Sequence, residues 1–344
     1  MVVAHNEADR IGARIENLLA QDYPAECLEI VIGSDGSTDA TVQRARAFAS
    51  SNVVVRAFSA RRGKPAVLNA IVPSAGGEII VFADARQRFH RQTLRALLEN
   101  FADPEVGAVS GSLILTTDPS ATASDGAGFY WKYETFIRSM ESRGGSMVGA
   151  TGAIYAIRRD LFEPIPDDTI LDDVLIPLQI SRAGYRVVFE PAARAYDVAA
   201  SSGCEFARKA RTIAGNFQLF ARELWLFNPR RNPLWFETLS HKALRLSIPV
   251  LHVGLIAANL ALLEWWVYRW TLLGQAAFYG AALAGFARGD ERRGALLTVP
   301  YAMCLLGWAT VVGFFRFMTG RQQVTWERVP ISVSAASESA DRAA

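Results

Sequence analysis

The sequence is poor in the residues that build cross-links and metal cages. Its 344 residues hold three cysteines, Cys27, Cys204 and Cys304, far apart and in no pair motif. Scattered, unpaired thiols suit a reducing compartment and argue against a disulfide scaffold. The four histidines, His5, His90, His241 and His252, show no metal-ligand spacing, so a histidine zinc site is not expected. A large charge excess is missing too, with 36 Lys and Arg against 34 Asp and Glu, a net charge of +2. A nucleic-acid reader would carry a stronger basic excess, and no nucleic-acid partner is expected. The amino terminus, Met1-Val2-Val3-Ala4, reads as a strand and not as a secretory signal. A first strand usually runs about five or six residues, so a start trimmed of a preceding segment is expected.

What the chain has is apolar residues, 51% of the total, unevenly spread. The first two thirds alternate short apolar runs with polar helices. Val2 to Ala4, Leu28 to Ile32, Val53 to Val55, Ile79 to Phe82 and Val106 to Leu115 read as strands. Between them, Ile11, Ile15, Leu18 and Leu19 mark one helical face, and Thr38–Ala49, Lys64–Ala75 and Thr93–Phe101 read as further helices. Ser37 is the expected N-cap of the second of these, and a helix from Val174 to Ala183 ends at Gly184. The alternation predicts parallel β-α-β units in an α/β, Rossmann-like sheet. Such sheets bind ligands beyond the carboxyl ends of their strands.

The organisation read from this pattern is an α/β domain over 1–204, an amphipathic interfacial region over 205–242, apolar helices over 243–318 and a tail over 319–344. In 205–227, Arg208, Lys209, Arg211 and Arg222 are interleaved with Phe206, Ile213, Phe217, Leu219, Phe220, Leu224 and Trp225, the composition of a helix lying in a membrane interface. Ala243–Leu263, Val267–Ala287 and Ala295–Phe315 each approach the roughly 20 residues that span a bilayer. Trp265, Trp266, Tyr268 and Trp270 would form an aromatic belt. Arg288, Arg292 and Arg293 place the second link on the cytoplasmic side, and two crossings put the catalytic section there as well. Arg316, Arg321 and Arg328 fit an outside tail poorly. The end from Ser332 to Ala344 is expected to be disordered.

Polar residues follow the strands where a ligand would lie. Asp35-Gly36-Ser37-Thr38-Asp39 reads equally as a ligand loop, with Asp35 accepting from a nucleobase or ribose, and as an ordinary turn with a helix cap. Gly63-Lys64, with Asn69 beyond it, offers a cation that could balance a diphosphate or simply sit in solvent. Asp84 closes the Ile79–Phe82 run, where a carboxylate suits Mg2+ or Mn2+. The adjacent Asp172 and Asp173 read either as a general base with its neighbour or as capping residues of the following helix.

Taken in order and spacing, these pieces resemble the family-2 glycosyltransferases with the GT-A fold, in particular the membrane-bound polysaccharide-synthase-like branch. The matching pieces are Val3 to Glu7, Ser34 to Asp39, Gly63-Lys64 with Leu68-Asn69, Asp84-Ala85-Arg86, Gly149 to Gly152 and Leu171-Asp172-Asp173 with Ala183-Gly184-Tyr185. The resemblance implies that Glu7 and Asp35 contact the donor nucleoside and that Lys64 lies near its diphosphate. It makes Asp84 the first Asp of the DxD metal motif and Asp173 the catalytic base. The implied reaction is an inverting, hexosyltransferase-type transfer from a nucleotide-sugar donor to a lipid-linked or growing exopolysaccharide acceptor at the membrane. Two alternatives stay open. One is a polyprenyl-phosphate sugar transferase, with Arg208, Lys209 and Arg211 serving a lipid phosphate. The other is a non-catalytic membrane subunit that binds nucleotide sugar. Arg86 stands where the motif has its second Asp; a cation cannot ligate a metal, so the divalent ion is held more weakly or Arg86 itself meets phosphate or acceptor. The Gln-x-x-Arg-Trp motif of processive synthases is missing from 208–212, and Gln322 to Trp326 is no evident substitute.

Overall fold

A computed structural model of the chain describes residues 1–116, 129–198, 202–288 and 294–325. The expectations placed on Arg292, Arg293, Trp326, Arg328 and Ser332–Ala344 lie outside these residues. The amino-terminal section unfolds in order as β1 (Val2–Ala4), α1 (Ala8–Leu19), β2 (Ile30–Asp35), α2 (Thr41–Arg46), β3 (Val53–Phe58), α3 (Lys64–Ile71), β4 (Ile79–Asp84), β5 (Arg88–Phe89), α4 (Thr93–Glu99) and β6 (Val106–Thr116). It continues through α5 (Phe129–Gly144), β7 (Ile154–Arg158), α6 (Asp172–Arg182) and β8 (Arg186–Val198). The Ile11/Ile15/Leu18 face expected of the first helix is buried against the sheet, while Leu19 is exposed.

All eight strands join one sheet in the order β3-β2-β1-β4-β7-β6-β8-β5. The β3-β2-β1-β4 half is parallel, as the alternating pattern predicts. The other half departs from it. β7 runs antiparallel to both β4 and β6, and β5 runs antiparallel to β8, so the sheet is mixed. β7 and the long β8 are not among the strands that the sequence pattern marks. Chain order reverses between β1 and β4, which is where an open α/β sheet forms its ligand crevice.

Two boundaries moved for local reasons. The second helix starts at Thr41, not Thr38, because Ser37 is no cap; its hydroxyl accepts from the Asn6 amide and the Ser34 hydroxyl instead. Asp172 and Asp173 are the first two residues of α6 and do not precede it, and its N-cap, Leu171, makes no side-chain cap bond. The capping reading of the acid pair therefore falls.

The carboxyl-terminal section begins with α7 (Ser202–Arg222). A π-helical turn (Thr238–Ala243) follows, flanked by the short turns α8 (Trp235–Glu237) and α9 (Leu244–Leu246). Then come α10 (Ile248–Ala261), α11 (Trp266–Arg288) and α12 (Ala295–Met318). The apolar face of α7 is covered on both sides. Gly215 packs on Ile170 and Leu171, and Phe217 meets Phe314 of α12 edge-on at 5.2 Å. Among the described residues one helix, Leu296–Met318, is long and apolar enough to cross a membrane. The run Trp235–Leu246 passes the same test together with Ile248–Ala261, the two being bent by 66°.

Candidate active site

The site grows from the carboxyl ends of β1, β2 and β4. Asn6 leaves β1 with φ 54°, a left-handed conformation that asparagine tolerates better than most residues. Its side-chain oxygen accepts the Thr38 amide at 2.8 Å, and the His5 ring meets the Asp35 carbonyl at 2.6 Å. These bonds tie the β1 and β2 loops into one wall. Glu7, expected at the nucleoside, is buried, with its carboxylate 3.0 Å from Arg10 Nη1. Asp35 is the last residue of β2 and is fully buried. Both of its oxygens are engaged, accepting the Arg62 amide at 2.6 Å and the Gly63 amide at 2.9 Å. In this structure it fixes the loop that delivers Lys64.

Gly63 holds φ 93° and ψ 155°, a region open essentially to glycine alone. A Cβ there would also lie 2.8 Å from Val324 Cγ1. The segment after α12 thus returns to the loop before α3, and Arg211 of α7 holds it by donating to the Val324 carbonyl at 3.1 Å. Sequence reasoning set the Gln322–Trp326 stretch aside and gave Arg211 to a lipid phosphate; nothing local in either segment signals that they meet. Arg208 lies half-buried on the same helix.

Lys64 opens α3 and points its ammonium between two carboxylates, 3.2 Å from Asp84 Oδ1 and 3.3 Å from Asp172 Oδ2. Burial pulls its pKa down, but Asp172, Asp84 and Asp173 outweigh that and hold it above the usual lysine range. Asn69, one helical turn on, is spent elsewhere. It donates to the Ile165 carbonyl and Asp167 and accepts the Ile165 amide, pinning the 165–167 loop instead of facing the site.

Asp173 is the perturbed acid. Burial and then the neighbouring Asp172 carboxylate raise its pKa to about 6, against the pull of Lys64 and Lys242. Room for it comes from Gly152, where a Cβ would sit 2.6 Å from Asp173 Oδ2. The adjacent Ala150 amide donates to the Asp173 carbonyl at 2.7 Å, which fixes the 149–152 turn under α6. Two buried polar atoms near this pair have no hydrogen-bond partner, Asp172 Oδ2 and the Tyr155 hydroxyl. The Lys64 ammonium is close to Asp172 Oδ2 but not aligned with it for a hydrogen bond. Tyr155 stacks on Phe82 at 4.4 Å, which carries its hydroxyl to the acidic end of the sheet.

Arg86 does not face this group. Its Nη2 lies 2.6 Å from Asp197 Oδ2, a carboxylate at the end of β8 that is almost completely buried. Gln87 donates to the same oxygen at 3.0 Å. The cation in the second motif position thus neutralises a buried acid and binds the β4 loop to β8. Asp197 carried no motif and only the tertiary pairing reveals it. The same holds for Lys242, on the π-helical turn. That turn is clamped through His241, whose ring lies 2.7 Å from Glu141 and 3.5 Å from Glu134 of α5.

A divalent ion would find part of a site here. Among the described residues no group of three or more His, Cys, Asp or Glu side chains could hold one. The Asp84 side chain is 40% exposed, and the Lys64 contact involves Oδ1. One carboxylate combined with substrate phosphates and waters is an ordinary way to hold Mg2+, so the residues fit an ion that is completed by the donor.

Residues 1–165 match the family model described as Glycosyl transferase family 2. The amino-terminal part of the chain is thus similar to a family 2 glycosyltransferase domain, and its α/β GT-A fold agrees with that similarity. It is 23% identical over 242 residues to poly-beta-1,6-N-acetyl-D-glucosamine synthase of Staphylococcus aureus, a match covering 68% of this chain and 58% of that protein. It is 25% identical over 194 residues to beta-monoglucosyldiacylglycerol synthase of Synechocystis sp., covering 54% and 40% respectively. The chain thus spans less than two thirds of the length of these curated relatives. Among solved structures it is similar to mannosyltransferase PcManGT from Pyrobaculum calidifontis, solved in complex with GDP-Man and Mn2+. That similarity has a TM-score of 0.63 and 25% identity, covering 93% of this chain and 86% of that one.

Proposed function

We propose that the chain transfers a hexosyl unit from a nucleotide-sugar donor, with inversion, to a hydroxyl of a lipid-linked or polysaccharide acceptor at a membrane surface. The observation that carries this reading is the convergence of Asp84, Lys64, Asp172 and Asp173 at the sheet's switch point, with Asp173 raised to about 6. A base works best when its pKa lies near the working pH, and a carboxylate near 6 is largely ionised at neutral pH yet basic enough to take a hydroxyl proton.

In this scheme the acceptor oxygen forms a bond to the anomeric carbon while its proton passes to the Asp173 carboxylate. The bond from that carbon to the diphosphate breaks, and the electron pair leaves with the diphosphate. Lys64 offsets the charge that develops there, as fixed donors do in a water-poor site. Asp35 and Glu7 hold the nucleoside-side wall, Asp35 acting through the 62–64 loop. Asp84 would hold Mg2+ or Mn2+, and the chemistry such an ion supplies when bound is further neutralisation of the leaving diphosphate. Arg86, committed to Asp197, keeps the Asp84 loop in register.

The membrane part of the proposal is supported by the carboxyl-terminal helices. Val250, Trp266, Trp270, Leu283 and Leu296 are all more than two-thirds exposed, while Asn259 and Thr310 are buried. Small residues line the helix contacts, such as Gly285 against Leu297 and Gly313 against Ala210. Polar and small groups inside with large apolar groups outside is the arrangement a lipid solvent favours. On this reading α10 with its bent lead-in, α11 and α12 enter the bilayer, and the catalytic section lies on the cytoplasmic side. The test is a panel of nucleotide sugars incubated with the detergent-solubilised chain, with and without a membrane lipid extract. Release of nucleoside diphosphate that needs one donor and is stimulated by extract is expected; no release from any donor would overturn the proposal.

A further inference from the structure

One ammonium serves three carboxylates in this site, and they belong to two different tasks. Lys64 lies 3.2 Å from Asp84, on the donor side, and 3.3 Å from Asp172, the immediate neighbour of the base. Its backbone is fixed, since the Gly63 amide before it is held by Asp35. Its head is not fixed, because a lysine ammonium rides on a flexible four-carbon stem and can be re-aimed with little backbone cost. Asp172 Oδ2 has no hydrogen bond of its own, so the Lys64 charge is what it leans on. A nucleoside diphosphate next to Asp84 offers that ammonium a denser negative charge than Asp172 does.

We propose that Lys64 is a transferable counter-ion that couples donor binding to the base: it rests between Asp84 and Asp172 in the free enzyme, turns to the diphosphate when the donor arrives, and leaves the Asp172–Asp173 pair without its cation. The inference rests on the transferase reading above and deepens it. Its consequence follows from the groups that face Asp173. Asp172 beside it and Asp84 from β4 favour its protonated form, while Lys64 from α3 and Lys242 from the π-helical turn favour the ionised form. Tyr155 from β7 also interacts with it. Lys242 stays in place because its turn is clamped through His241 to Glu134 and Glu141. Lys64 is the cation that can leave. Its departure raises the proton affinity of Asp173, and the diphosphate acts in the same direction, since it carries more negative charge than one divalent ion cancels. Basicity is thereby gained once the donor is bound, the condition under which proton abstraction is productive.

The test is calorimetry on the full chain, titrating GDP or UDP with Mn2+ at about pH 6.5 in two buffers of different ionisation heat, and counting protons taken up. Wild type is expected to take up about half a proton more than Asp173→Asn, the amount for a carboxyl moving from about 6 to about 7. Lys64→Gln is expected to bind about tenfold more weakly and to lose that excess, with Lys64→Met repeating the test on the apolar stem. Lys64→Arg, which keeps the charge, should recover part of it. Equal uptake by wild type and Asp173→Asn, or an undiminished excess in both Lys64→Gln and Lys64→Met, would overturn the coupling while leaving the transferase reading intact. Failure of both diphosphates to bind would remove the donor reading, and the coupling with it.

Discussion

Between Val2 and Val198 the large apolar side chains lie inside, with Leu19, Phe136, Met140 and Val198 as the exposed ones among the described residues. Several of the ionic groups that go inside with them are paired between elements distant in the chain, as Arg86 is with Asp197 and Lys64 is with Asp84 and Asp172. From Ile248 to Met318 the order is reversed. Tryptophans, leucines and phenylalanines stand outside, and what is buried includes Asn259, Thr310, Ala282 and Ala309. The first section spends its apolar surface on a core and its charges on a site. In the second section Asn259 accepts the Thr271 hydroxyl at 2.8 Å, satisfying its carbonyl oxygen internally. Such an arrangement is stable where the surroundings are apolar.

The sharpest way to break the first half of the comparison is at the proposed base, Asp173. Asp173→Asn keeps the shape and removes the proton acceptor. Transfer should fall by roughly a hundredfold to ten-thousandfold, while donor binding and melting temperature stay close to wild type. A stability loss that exceeds the activity loss would return the acid pair to a structural role. The second half is broken by charge. Trp308 is 60% exposed in the middle of Leu296–Met318, and Trp308→Arg should cost insertion about 2.5–3.5 kcal/mol if that helix crosses a bilayer. The wild-type chain should stay with membranes through high-salt washing and need detergent for release, with the variant partly lost. Release of wild type by salt alone would reduce the apolar section to surface attachment.

Gly63 tests where the two halves touch. Gly63→Ala forces a side chain into a glycine-only backbone conformation and against Val324. Such strain costs about 1–3 kcal/mol, which predicts a loss of folding stability of that size, read as a lower melting temperature. Deleting the segment from Gln322 onward should relieve only the Val324 part of that loss. The smallest effect is expected at the His241 clamp. Burial lowers the pKa of His241, but Glu134 and Glu141 outweigh it and the net shift is upward. A group whose pKa is raised on folding stabilises the fold fully below its unfolded value, about 6.5, and that stability is lost as pH rises through the folded value. Melting temperature should therefore decline across the alkaline side of that point, and His241→Gln should flatten the decline.

The strands and helices of the parallel half, the polar residues at their carboxyl ends and the three apolar stretches could all be read from the chain. Each rests on near-neighbour periodicity, which local sequence encodes directly. Asp84, Lys64, Asp172 and Asp173 could be nominated for the same reason, as polar residues at strand and helix ends. Their meeting could not. Asp172 comes 108 positions after Lys64 in the chain, and only the sheet order brings α3, β4 and α6 to one edge. The same long-range packing decided that Asp35 is consumed by the Gly63 loop, that Asn69 pins 165–167, that Arg86 answers Asp197, and that Val324 returns to Gly63. Sequence by itself determined which residue types stand at the ends of which elements, because propensity and alternation act over a few residues. Tertiary structure alone decided which charges neutralise each other, because a buried ionic group takes whatever partner the fold sets within a few ångströms of it, however far away in the chain.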